Sequence, residues 1–195
     1  MPDAARTILR KDAGWRAVVA AFAFNGLLLG VWASRVPAFK DAFDLAPGAL
    51  GLLLLALAGG AIVSFPLAGM AFERWGADRL TVWCAAVYGP ALVMLALAPT
   101  APALGVALFA FGAVHGAMDV AMNGWGARVE ARTGRTTMSV YHALFSLGAG
   151  IGAASGYLAL RWGLEPLWHF AGVAVLGGGG GARRGRGAGH DGRRA

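Results

Sequence analysis

Five stretches of this chain are apolar over about the length needed to cross a lipid bilayer, and no other feature restricts its fold as much. A hydrocarbon core about 30 Å thick takes roughly 20 helical residues at about 1.5 Å each. The stretches cover residues 17–34, 47–71, 80–98, 103–125 and 138–160. A sixth begins at Pro166 and keeps its apolar character only to Leu176. Transmembrane strands are shorter and alternate in polarity, whereas these runs are continuously apolar. The expected fold is an all-α membrane protein, with five clear transmembrane helices and a short or broken sixth.

Composition agrees with that reading. Only 14% of the 195 residues are charged and 57% are hydrophobic, against about 25% charged in soluble domains. The net charge of +7 raises the question of a nucleic-acid partner, but its distribution argues against one. Arg183, Arg184, Arg186, Arg193 and Arg194 crowd the C-terminal end, and most other cations flank the apolar runs, where they orient a membrane protein. The single cysteine, Cys84, lies inside an apolar run, so no disulfide framework is expected. The polar head, residues 1–16, precedes the first run without a convincing cleavage site, so that run is expected to be a retained helix.

Orientation follows from the cations. With the N-terminus in the cytoplasm, Arg6, Arg10, Lys11, Arg16, Arg74, Arg79, Arg128, Arg132 and Arg135 lie inside, and only Arg35, Lys40 and Arg161 lie outside. That is the positive-inside bias of a multi-pass plasma-membrane protein. Trp15, Trp32, Trp75, Trp125 and Trp162 fall near the expected membrane faces, as an aromatic belt does. Residues 177–195 are rich in glycine and arginine and cannot bury a core, so disorder is expected there. They are read either as a genuine basic tail or as the product of a frameshift that cut the sixth helix short.

The connection after the second run contains Gly69, Glu73, Arg74, Gly76 and Arg79. It resembles the loop signature of the major facilitator superfamily (MFS), matching at Gly69, Arg74, Gly76 and Arg79. Glu73 stands where Asp is usual, and Asp78 where a basic residue is commoner. The stretch from Gly30 to Pro37, and Asp119 to Asn123 with Val129, Glu130, Gly134, Arg135, Met138, Ser139, His142 and Ala143, are similar to the bacterial subfamily close to fucose permease. The resemblance covers residues 15–176 and implies the N-terminal six-helix half of a twelve-helix transporter. It implies a proton-coupled carrier of a sugar or small metabolite, working by alternating access and needing a C-terminal half or a second copy. A weak echo of an internal repeat links Gly26 and Gly30 with Gly112 and Gly116.

Several residues are candidates for the chemistry. His115, Asp119 and Asn123 are spaced by four and share a helix face. An ionised Asp in hydrocarbon costs at least about 2.5–3.5 kcal/mol, so Asp119 either lines a cavity, binding a proton or solute, or makes an interhelical hydrogen bond. His142 is expected at a similar depth to Asp119, and a contact between them would suit proton-linked switching. Asn25 either binds hydroxyl-rich solutes or holds helices together. Arg35 either snorkels to the interface or guards the cavity mouth. Gly148, Gly152 and Gly156 form a smooth stripe for close packing, only loosely like the glycine-rich fifth helix of some antiporters. The loop motif is read as a conformational latch in which Glu73 meets Arg128 or Arg74. A membrane enzyme holding a metal at His115, Asp119 and His142 is the rival class, but no complete ligand set or catalytic motif is present. No cofactor, metal or catalytic residue is expected. A non-transporting remnant remains the alternative to a working carrier.

Overall fold

The computed structural model describes residues 13–185, with side chains to residue 177. Six helices follow one another: α1 (Ala13–Ala42), α2 (Pro47–Trp75), α3 (Ala77–Ala96), α4 (Ala101–Thr133), α5 (Met138–Arg161) and α6 (Pro166–Gly185). No strand occurs among the described residues. The first five are long and apolar enough to cross a membrane, and α6 is a shorter apolar helix over Pro166–Gly177 among the described residues. The chain is an all-α membrane protein.

Several helices run past the ends that hydropathy suggests. α1 continues beyond Ser34 through Arg35, Pro37 and Lys40, and α4 continues beyond Trp125 to Thr133. Apolarity stops at the first charge, whereas backbone hydrogen bonding continues until a residue breaks it. Gly76, at φ 88°, joins α2 directly to α3, and Gly134, at φ 64°, closes α4 by donating its N–H to the Glu130 carbonyl. Side chains rarely adopt such positive φ values, which explains glycine at both turns. The backbone of α6 stays helical to Gly185, where disorder was expected from residue 177. Each glycine costs a helix about 1 kcal/mol relative to alanine but removes no hydrogen bond, unlike proline. Residues 186–195, the rest of the expected disordered tail, lie outside the described residues.

Two close helix pairs build the bundle: α1 lies along α5, and α2 along α4, with α3 against α4 and α6. Small residues bring the backbones together. A methyl group added at Gly26 or Gly30 would run into the carbonyls of Phe145 or Ala149, and one at Gly148 or Gly152 into those of Ala23 or Leu27. The second pair repeats this arrangement, with Gly112 and Gly116 against the carbonyls of Leu57 and Ala61, and Gly60 against that of Phe109. One sequence offset carries Ala23, Gly26 and Gly30 of α1 onto Phe109, Gly112 and Gly116 of α4. Another carries Leu57, Gly60 and Ala61 of α2 onto Phe145, Gly148 and Ala149 of α5. The glycine echo is therefore one contact made twice: α1 with α5, and α4 with α2. Gly156 meets the Ser34 side chain, so the whole α5 stripe packs as expected.

Phe22, Leu28, Tyr88, Leu92, Leu108, Phe111, Met118 and Tyr141 fill the interior. α2 and α5 bury the least of the five spans. Leu52, Leu55, Ile62, Leu67 and Met70 on α2, and Leu147, Ile151 and Tyr157 on α5, are exposed. In a bilayer such a surface meets lipid or further helices.

Candidate functional site

Buried polar side chains are scarce here, and three of the interior ones converge where α1, α3 and α4 meet. Asn25 is fully buried and His115 half-buried. Nδ1 of His115 lies 2.8 Å from Asn25 Oδ1 and 2.8 Å from the Tyr88 hydroxyl. Asn25 Nδ2 donates to Met122 Sδ at 3.4 Å. Tyr88 is held by Phe111, with ring centroids 4.8 Å apart, and by the edge of Phe24 at 6.4 Å.

One ring nitrogen facing two partners is chemically informative. Protonated, Nδ1 donates to Asn25 Oδ1; unprotonated, it accepts from the Tyr88 hydroxyl. Asn25 Oδ1 only accepts, whereas the Tyr88 hydroxyl donates or accepts, so the tautomer or charge of His115 decides whether α4 is bonded to α1 there. Along α4, His115 stands roughly 15 Å from Trp125 at the expected membrane face, at about 1.5 Å per residue, which is near the middle of a core about 30 Å thick.

Asp119 follows one turn later and is half-buried. Asn123 Nδ2 donates to its carboxylate Oδ1 at 3.2 Å and to its carbonyl at 2.9 Å. His115, Asp119 and Asn123 thus form the stripe that their spacing predicts. The expected contact between Asp119 and His142 is not formed. His142 is exposed at the start of α5, its Nδ1 3.2 Å from the Met138 carbonyl and its ring 5.3 Å from Phe22.

Arg35 also lies elsewhere than expected. It is 2% exposed, so it neither snorkels nor stands at an open mouth. α1 continues past it, and its Nη2 donates to the Leu164 carbonyl in the α5–α6 turn. His169, also buried, is 3.1 Å from Ser155 Oγ. Arg35 therefore ties α1 to the turn between α5 and α6.

The loop residues cluster at the opposite end of the bundle, as expected for a connection after the second span. Glu73, Arg74 and Arg79 are exposed. Arg74 lies over the Trp75 ring at 5.8 Å, and Arg128 over Phe72 at 4.5 Å. The expected pairing of Glu73 with Arg128 or Arg74 is not formed, because both guanidiniums lie on aromatic rings. Gly69 has open space where a side chain would stand. Nearby, Glu130 Oε1 accepts the backbone N–H groups of Thr137 and Met138, which fixes the start of α5. Among the described residues, no three of His, Cys, Asp and Glu are placed to hold a metal.

Among the contacts outside the sequence reading are Tyr88 on His115, Glu130 at the α5 terminus, and the Arg35–Leu164 tie. A tyrosine in mid-span was a visible signal for the first, although its partner was not. The other two depend on a backbone group that no residue pattern reveals.

The chain is similar to three proteins of bacteria. An uncharacterized transporter of Sinorhizobium fredii is 47% identical over 165 residues, 85% of this chain and 44% of its own length. An uncharacterized MFS-type transporter of Yersinia pestis is 40% identical over 157 residues, 80% of this chain and 41% of its own. The membrane protein MosC of Rhizobium meliloti is 36% identical over 137 residues, 69% of this chain and 34% of its own. No family model matches the chain, and no solved structure matches it. The chain spans less than half the length of these relatives. Five membrane-length helices make the chain a multi-pass membrane protein, similar over most of its own length to proteins named as transporters.

Proposed function

We propose that the chain is the N-terminal half of an MFS secondary transporter. It would carry a small polar solute, a sugar or metabolite, coupled to protons, with its N-terminus in the cytoplasm of a bacterial cell. The observation that carries this reading is the Asn25–His115–Tyr88 cluster at mid-membrane depth, with Asp119 one turn away on the same helix. Ionisable groups inside a membrane are costly and mark solute and proton paths. A site built from donors and acceptors on three helices suits hydroxyl-rich solutes. The subfamily close to fucose permease, to which the sequence is similar, is the finer form of this reading.

In this reading a proton arriving at His115 moves its bond from Tyr88 on α3 to Asn25 on α1. Asp119, one turn away on the same helix, exchanges that proton with His115 and is needed for the coupling. Solute sites in this fold lie between two halves that rock against each other. The exposed faces of α2 and α5 and the bare surface at Gly69 are where the second half, or a second copy, would dock. The loop of Glu73, Arg74, Gly76 and Arg79, with Arg128, would latch against it.

The test is to co-express this chain with the C-terminal half of the Sinorhizobium fredii relative and measure uptake of a panel of labelled sugars and polyols. Uptake above that of either half alone supports the reading. No uptake of any solute, with both halves folded and together in the membrane, contradicts it. If this chain transports by itself and migrates as a dimer, a second copy takes the place of the missing half.

A further inference from the structure

We propose that the cleft between the start of α3 and the end of α4 binds the headgroup of an anionic glycerophospholipid. The cleft has a volume of about 290 Å³ and is lined by Asp78, Trp125, Arg128, Val129 and Arg132. The proposal is independent of whether the chain transports anything.

Depth supports a lipid. α4 has 33 residues and is therefore roughly 50 Å long, well beyond a core about 30 Å thick. Its last two turns stand in the headgroup layer. Trp125 marks that layer, as indoles do, and Arg128 and Arg132 follow at one-turn spacing. α3 begins at Ala77 at the same level, and its Val82, Trp83 and Val87 are exposed. An acyl chain would therefore find an apolar helix face directly beside the cleft.

The chemistry suits a phosphodiester. A guanidinium offers a planar fork of donors that matches phosphate oxygens. Arg128 is exposed and its guanidinium rests on the Phe72 ring at 4.5 Å. Asp78 on the opposite wall accepts hydrogen bonds from a hydroxylated headgroup such as glycerol. Two guanidiniums and one carboxylate line the cleft, an excess of cationic side chains. Basic pockets between membrane helices near this level take such headgroups.

The test uses the purified chain in nanodiscs of phosphatidylcholine with or without phosphatidylglycerol, and counts retained lipids by native mass spectrometry. Phosphatidylglycerol should be retained selectively. The Arg128→Gln/Arg132→Gln double variant should lose that selectivity by roughly tenfold or more, and Arg161→Gln, at the other end of the bundle, should keep it. Equal loss in Arg161→Gln, no loss in the double variant, or displacement of the bound lipid by millimolar inorganic phosphate would overturn the proposal. A second measurement needs no variant. Phosphatidylglycerol nanodiscs should slow modification of Arg128 by phenylglyoxal relative to phosphatidylcholine nanodiscs, with Arg161 unaffected; equal rates at Arg128 contradict the proposal.

Discussion

The hydroxyl of Tyr88 lies 2.8 Å from Nδ1 of His115, which ties α3 to α4 at the level where Asn25 of α1 reaches the same nitrogen. The two bonds compete. Tyr88→Phe removes one competitor and keeps the ring against Phe111. Interhelical hydrogen bonds in membranes are worth about 0.6 kcal/mol on average, so the fold should tolerate this change with a loss near that size. The nitrogen should then settle into the protonated form bonded to Asn25. A ¹⁵N spectrum of the His115 ring in nanodiscs reads this directly, and an Nδ1 shift identical to wild type would contradict it.

The doubled glycine contact makes a prediction about symmetry. Gly30→Val should part α1 from α5, and Gly116→Val should part α4 from α2, because each added side chain meets backbone. Overpacking of this kind costs about 1–3 kcal/mol. Gly150→Ala, with open space around it, should be neutral. Thermal unfolding in detergent compares the three. Equal stability of Gly30→Val and Gly150→Ala would contradict the close approach.

Much of this architecture was legible from composition and spacing. Hydropathy locates five spans, and the Gly26/Gly30 and Gly112/Gly116 pairs give a weak echo of an internal repeat, which the structure turns into one packing contact made twice. The stripe of His115, Asp119 and Asn123 appears because an α-helix repeats every 3.6 residues. What spacing cannot show is which helix lies opposite. His142 is expected at the depth of Asp119, yet it is exposed on α5, and Asn123 takes the carboxylate instead. Arg35 follows an apolar run and so looks like its end, but the helix continues past it and its partner is a carbonyl 129 residues away.

Arg35 provides a test of that tie. Arg35→Ala leaves the Leu164 carbonyl without its donor and opens a void, at a cost of about 1–3 kcal/mol for the unpaired group alone. Arg35→Met fills the space without a buried charge, and such exchanges are often neutral or stabilising. Unfolding midpoints should rank Met at or above wild type and Ala clearly below. Equal midpoints for Ala and wild type would show that Arg35 holds nothing.

Glu130 makes a local prediction. Its carboxylate accepts the N–H groups of Thr137 and Met138 at the start of α5. Glu130→Ala should cost about 1–2 kcal/mol, as lost helix caps do, and should speed amide exchange over the first turn of α5. Glu130→Gln keeps one acceptor oxygen and should fall between. Unchanged exchange in Glu130→Ala would remove Glu130 from that role.

The most direct measurement of proton-coupled transport is the pH of a lightly buffered suspension of cells co-expressing this chain with a C-terminal half, on adding a transported solute. Wild type should alkalinise the medium as solute and protons enter together. Asp119→Asn should abolish that signal while still exchanging internal for external solute. Alkalinisation of wild-type size in Asp119→Asn would contradict the assignment of the proton to the Asp119–His115 stripe.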